Sequence, residues 1–108
     1  MIKLEIYRDH EGLITGYSVS GHAGYDEAGY DIVCSAVSAL TQAPLMGLER
    51  YLKRQPQYSV DQESGRLTAA LNSAPDELTQ AILETMLCGV GSIARQYPKY
   101  VSIKEHRR

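Results

Sequence analysis

Met1-Ile-Lys-Leu-Glu-Ile-Tyr-Arg-Asp-His-Glu-Gly-Leu-Ile-Thr-Gly-Tyr-Ser-Val-Ser20 opens the chain and carries the clearest fold signal in it. Ile2, Leu4 and Ile6 alternate with Lys3, Glu5 and Tyr7, the period-2 pattern of a half-buried strand. Asp9-His-Glu-Gly12 reads as a tight turn, and Leu13, Thr15, Tyr17 and Val19 form one face of a second strand, so the two strands make a hairpin. The pattern is lost from Ser20 to Tyr30, a loop containing Gly21, Gly24 and Gly29. A helix is expected from Asp31, with Val33, Ala36, Val37, Leu40, Pro44, Leu48 and Tyr51 on one apolar stripe. Pro44 should kink or divide it. Gln57 to Asp61 and Arg66 to Leu71 read as a second hairpin around Gln62-Glu-Ser-Gly65. Ser73-Ala-Pro-Asp76 resembles a helix start, and Leu78, Ile82, Met86, Ile93 and Tyr97 mark the apolar face of a second helix that stops before Pro98. Tyr100 to Ile103 forms a last short strand. The order ββαββαβ predicts an α+β fold: a two-layer arrangement of a five-stranded, mostly antiparallel or mixed sheet with two helices on one face.

The length of 108 residues, with 44% hydrophobic and 22% charged, predicts one compact domain over residues 1–108. No uninterrupted apolar run approaches the ~20 residues of a membrane span, and the N-terminus lacks the pattern of a secretory signal. No membrane association and a cytoplasmic location are therefore expected. The formal charge is -2 and the pI about 5.9, without the basic balance of a general nucleic-acid binder. Arg95, Lys99, Lys104, Arg107 and Arg108 leave only the C-terminal end locally positive, and direct nucleic-acid binding is not expected. Cys34 and Cys88 are far apart and form no CxxC, and His10, His22 and His106 are isolated from one another, so neither a disulfide, a metal site nor a cofactor is predicted. His10 and His106 read as exposed bystanders.

The two cysteines differ in context. Cys88 lies in the apolar stretch Met86-Leu-Cys-Gly-Val90 and is expected in the core, beside Gly89 and Gly91, which suggest close backbone approach by the other helix, a strand or a second subunit. If Asp31 is the N-cap, Cys34 falls in the first turn of its helix, where unpaired N–H groups and the helix dipole would lower a thiol pKa from about 8.5 toward about 3.5–7.5. Cys34 then lies at the shoulder of the apolar stripe with Ser38 and Thr41, a polar flank able to face a cleft. Backbone donors near Cys34 and Ser35 are placed for an oxyanion. His22, upstream between Gly21 and Ala23, is the best candidate base: a Cys–His pair suffices for nucleophilic catalysis, the imidazole taking the thiol proton and returning it to the leaving amine. Asp31 can cap the helix, orient His22, or do both.

Gly21-His-Ala-Gly-Tyr25 followed by Gly29-Tyr-Asp-Ile-Val-Cys-Ser-Ala-Val-Ser38 resembles the signature of the ribosomal-processing cysteine proteases. The likeness extends over essentially the whole chain, including element order and the glycine pair of the second helix, and departs from the family pattern at Ser35, where a second alanine is usual. The resemblance implies a cytoplasmic, homodimeric bacterial endopeptidase that removes a short N-terminal extension from a large-subunit ribosomal protein. It implies His22 as general base and acid, Cys34 as nucleophile, and Asp31 and Ser38 as supporting positions. Gly24 to Gly29, with Tyr25, Asp26 and Glu27 between glycine hinges, then reads as a substrate lid or an ordinary loop. The alternatives are a non-catalytic ribosome- or RNA-associated module, supported only by the basic C-terminal end, and a thiol redox sensor, which lacks a nearby resolving cysteine in the sequence.

Overall fold

A computed structural model describes the backbone of residues 1–21 and 28–108 and the side chains of residues 1–21 and 31–108. The elements run β1 (Ile2–Arg8), β2 (Ile14–Ser20), α1 (Ala28–Met46), a π-helical turn (Gly47–Tyr51), β3 (Gln57–Val60), β4 (Leu67–Ala70), α2 (Glu77–Gln96) and β5 (Val101–Arg107). The five strands form one mixed sheet in the order β3-β4-β2-β1-β5, with only the β1–β5 pair parallel. This is the expected α+β arrangement and element order.

The alternation in β1 sets the buried face. Ile2, Leu4 and Ile6 are fully buried, and Tyr17 and Val19 pair with Ile6 and Leu4 across β2. The rest of β2 departs from the expected face. Tyr7 pairs with Gly16 but Arg8 with Ile14, so Thr15 is an extra residue, a bulge that shifts the inward parity by one. Ile14 is buried in place of Leu13 and Thr15. Gln80 of α2 holds the bulge: its amide accepts from the Ile14 N–H and donates to the Ile14 carbonyl, both at 2.8 Å. Arg8, beside it, reaches Glu84 of α2 at 2.7 Å and Glu105 of β5 at 2.6 Å, and these two carboxylates raise its pKa further. The β1–β2 turn is the expected one. Asp9 Oδ1 accepts from the N–H groups of Glu11 and Leu13, and Gly12 has φ +87°.

Helix α1 buries Val33, Val37, Thr41, Pro44 and Leu45, and the π turn after it buries Leu48. It runs on past Pro44 rather than being divided there, and its hydrogen bonding widens only after Met46, where the Leu52 N–H reaches the Gly47 carbonyl at 3.0 Å. A π turn uses more residues than an α turn, so the expected stripe does not extend to Tyr51, which is 83% exposed. The buried Tyr17 hydroxyl donates to the Thr41 carbonyl at 2.6 Å, fixing α1 to β2, and burial pushes the phenol pKa up.

Helix α2 is capped by Asp76. Its Oδ1 accepts from the Thr79 N–H at 2.9 Å, the Thr79 hydroxyl lies 3.0 Å from the Asp76 N–H as its acceptor, and Arg54 pairs with the other carboxylate oxygen at 2.6 Å. The Thr79 N–H, then Arg54, hold this carboxyl below its ordinary range. The buried residues are Thr79, Leu83, Met86 and Val90, one step round from the expected face, so Leu78 and Tyr97 stand out in solvent. Of the glycine pair, Gly89 marks the close approach, and the neighbour is the other helix: a β-carbon there would lie 3.2 Å from Leu40 Cδ1. Gly91 meets no such wall, its nearest neighbour being the Arg95 side chain at 3.7 Å.

Candidate active site

Ser20 ends β2, and Gly21 turns the chain out of the sheet with φ +90°. A β-carbon at this position would run into the Met1 carbonyl, so both conformation and space demand glycine. The next residue is His22. His22, Ala23, Gly24, Tyr25, Asp26 and Glu27 lie outside the described residues, as does the side chain of Gly29's neighbour Tyr30, so the candidate base and the candidate lid are placed here only by their anchor.

Cys34 is described. It is partly exposed, with buried Val33 before it and exposed Ser35 after it, and it packs at the margin of the core, as a shoulder position requires. The helix start is corrected. The helix begins at Ala28, so Asp31 is an exposed residue of the first turn rather than the N-cap, and Cys34 lies in the second turn. The unpaired N–H groups at a helix start belong to its first turn, and the dipole effect fades beyond it. Activation of Cys34 by the helix end alone is therefore weaker than its sequence position suggested, and the neighbouring donors at Ser35 are likewise inside the helix.

An open groove of about 590 Å³ runs along the outer side of α1, lined among the described residues by Cys34, Ser35, Ser38, Ala39, Gln42, Ala43 and Met46. The small side chains make the trough. Ser38 Oγ, which lines the groove, accepts from Gln42 Nε2 at 2.7 Å. Thr41, expected on the same flank, is instead 1% exposed, its hydroxyl donating to the Val37 carbonyl at 2.9 Å. Gln42, Ala43 and Met46 were not singled out from the sequence. The signal was present as the helical spacing of Ser38, Gln42 and Met46 from Cys34.

The remaining candidates separate cleanly. Cys88 is exposed rather than in the core, because Met86 and Val90 face inward and a residue two steps beyond Met86 points away. Neither cysteine is in a disulfide. His10 is exposed as expected, but His106 is not a bystander. It lies 3.0 Å from Glu5 and stacks on Tyr7 with ring centroids 5.0 Å apart, on the sheet face away from the helices. The bond to His106 is the largest cause holding the Glu5 carboxyl below its ordinary range. Among the described residues no group of His, Cys, Asp and Glu is arranged to hold a metal ion.

A nucleophilic thiol on an open groove, in a chain whose sequence carries a candidate base at His22, is the kind of site a thiol hydrolase uses. Comparison with known proteins narrows the class. The family model described as Cysteine protease Prp matches residues 1–102. A ribosomal processing cysteine protease Prp of Staphylococcus aureus (strain Mu50 / ATCC 700699) is 27% identical over 103 residues, covering 95% of this chain and 97% of that protein. Among solved structures, SMU.848 from Streptococcus mutans superposes with a TM-score of 0.88 at 29% identity, covering 100% of this chain and 96% of that one. The S. aureus essential ribosomal processing protease Prp, solved in complex with a substrate peptide, superposes with a TM-score of 0.91 at 25% identity, covering 98% of this chain and 100% of that one. The chain belongs to the Prp cysteine protease family. It is a cysteine peptidase.

Proposed function

We propose that this peptidase removes the short N-terminal extension of a large-subunit ribosomal protein, with Cys34 as nucleophile and His22 as general base and acid. The observation that carries the reading is the position of Cys34 on the open α1 groove, partly exposed and flanked by small side chains that let an extended peptide lie against the helix. The ribosomal processing role of the S. aureus relatives, one of them solved with a substrate peptide, supports the substrate class.

In this mechanism His22 removes the Cys34 thiol proton and the thiolate attacks the scissile carbonyl carbon. The tetrahedral oxyanion collapses, the C–N bond breaks, and the imidazolium gives its proton to the leaving amine. Water then enters, loses a proton to His22 and attacks the thioester, and the thiol is regenerated. Gly21 directs the segment carrying His22. In this reading Asp31, exposed in the first turn of α1, orients the imidazole, and Ser38 lines the groove one turn beyond the thiol. The segment Gly24 to Gly29 acts as a lid over bound peptide, and the enzyme works as a cytoplasmic homodimer.

Cleavage of a synthetic peptide spanning the extension and the mature N-terminus, followed by mass, tests the reading. Cys34→Ala and Cys34→Ser are expected to lose at least about 10³-fold in rate, and His22→Ala about 10²- to 10⁴-fold, whereas Cys88→Ala retains activity. Cleavage surviving Cys34→Ala removes the mechanism. Cleavage at a different junction keeps the mechanism and changes the substrate.

A further inference from the structure

The Cys34 groove does not end at a wall. Gln42 and Met46, at its far end, also line a second open cavity of about 460 Å³ between α1 and the β3–β4 hairpin. Its other sides are Leu45, Tyr58, Val60 and Leu67, with Glu49 and Arg50 also lining it. Tyr58 and Val60 pair across the hairpin with the buried Ala69 and Leu67, so they stand on the helix-bearing face of the sheet, yet they are 54% and 57% exposed. Two apolar side chains on an edge strand turned toward a helix, without that helix closing over them, leave an apolar floor with room above it. The backbone beside the cavity is also unusual. The π turn Gly47–Tyr51 supplies Glu49 and Arg50, and Lys53 and Gln55 follow in left-handed conformation at φ 58° and 50°. Such conformations are costly for residues with side chains and concentrate at binding and catalytic sites.

We propose that this cavity is a specificity subsite for the peptide attacked by Cys34, taking an aromatic or aliphatic side chain remote from the scissile bond. The inference rests on the proteolytic reading above. Continuity selects the occupant: a peptide lying in the groove reaches the cavity across Gln42 and Met46 without leaving α1. The helix from Cys34 to Met46 spans about 18 Å at about 1.5 Å per residue. An extended peptide advances about 3.3 Å per residue, which puts the recognised side chain about five residues from the bond cut. The small groove-lining residues accept the backbone between, and the cavity reads the side chain.

Val60→Asp and Tyr58→Ser test this, because both positions are exposed and neither touches the reacting atoms. Each variant is compared with the unsubstituted enzyme on the junction-spanning peptide and on a peptide truncated close to the junction on both sides. The expected result is a fall of about 10- to 200-fold in kcat/KM for the long peptide only, the range an apolar pocket contributes to discrimination. Cleavage of the truncated peptide and alkylation of Cys34 by iodoacetamide should be unchanged. An aspartate scan of the long peptide should find one sensitive position about five residues from the cut, and its effect should largely vanish in Val60→Asp, since two changes in one contact are not additive. Equal cleavage of the long peptide by all three proteins, or equal loss on both peptides, overturns the subsite. Loss on both peptides together with a change in sedimentation assigns the face to self-association instead. If the unsubstituted protein shows no Cys34-dependent cleavage of either peptide, the proteolytic reading falls and the subsite falls with it.

Discussion

The two helices lie in one layer over one sheet and each carries one cysteine, yet their outer sides differ in kind. α2 is tied down by polar contacts: the Asp76–Thr79 capping box, Arg54 on Asp76, Gln80 on both backbone groups of Ile14, and Glu84 on Arg8. α1 rests on apolar side chains and one buried phenol, Tyr17 on the Thr41 carbonyl. Its outer side is a trough of Ser35, Ser38, Ala39 and Ala43 that leads from Cys34 to a second cavity. Exposure does not distinguish the two thiols, because Cys88 is the more open of them. What distinguishes Cys34 among the described residues is a groove beside it able to hold a peptide.

The widest gap between the helices should appear at the thiols. At pH 6, iodoacetamide labelling of Cys34 is expected to fall at least about tenfold in His22→Ala while labelling of Cys88 is unchanged, as read by peptide mass; this follows from general-base assistance worth about 10²–10⁴. Equal changes at both cysteines would break the distinction. Gly21→Ala should be the most damaging change away from the thiol. It forces a side chain into a left-handed conformation and against the Met1 carbonyl, at a cost of about 2 kcal/mol or more, and displaces the segment carrying His22. Denaturant unfolding and peptide cleavage should fall together.

Gln80→Ala should cost about 2 kcal/mol in the same unfolding measurement, since it strands the N–H and carbonyl of Ile14. Peptide cleavage below the melting transition should be unaffected, because the change acts on α2. Tyr17→Phe should cost about 1 kcal/mol through the lost bond to Thr41, and it acts on α1, so a shift in KM accompanying it would show that the seating of α1 shapes the groove. The smallest effect is expected at Asp76. Its carboxyl pKa is lowered in the folded state, so its stabilisation is present above its ordinary value of 3.8 and is lost as pH falls through the lowered one. Asp76→Asn should therefore flatten the acid limb of the melting-temperature profile below about pH 4 and leave activity near neutrality unchanged.

Period-2 alternation in β1 and the turn signal at Asp9 to Gly12 were readable because each depends on neighbouring residues alone. The fold order followed from them. What the sequence concealed were single-residue shifts of phase. Thr15 inserts one residue into β2 and exchanges which positions face inward, and the π turn after Met46 carries Tyr51 off the stripe. Neither leaves a local compositional mark. Cys88 was misplaced for a related reason: the apolar run around it wraps the whole helix, and only the tertiary fit of Leu83, Met86 and Val90 decides which side is buried. At the candidate site, Cys34 on the shoulder of α1 was legible, whereas the demand for glycine at position 21 was not, since it depends on the Met1 carbonyl brought beside it by β1–β2 pairing. The true start of α1 was not, since Asp31 is a good capping residue and nothing in the chain favours Ala28 over it.

The contact between Gly21 and the Met1 carbonyl has a practical side for anyone handling the protein. Because β5 runs parallel beside β1, the two chain ends leave the sheet at opposite ends of the strands: Met1 lies beside Gly21, while the Arg108 N–H bonds to the Arg8 carbonyl at 3.3 Å at the far end. A purification tag or reporter fused ahead of Met1 would therefore crowd Gly21, from which the chain leads on to the proposed base, whereas the same fusion after Arg108 would stand a full strand length away from it.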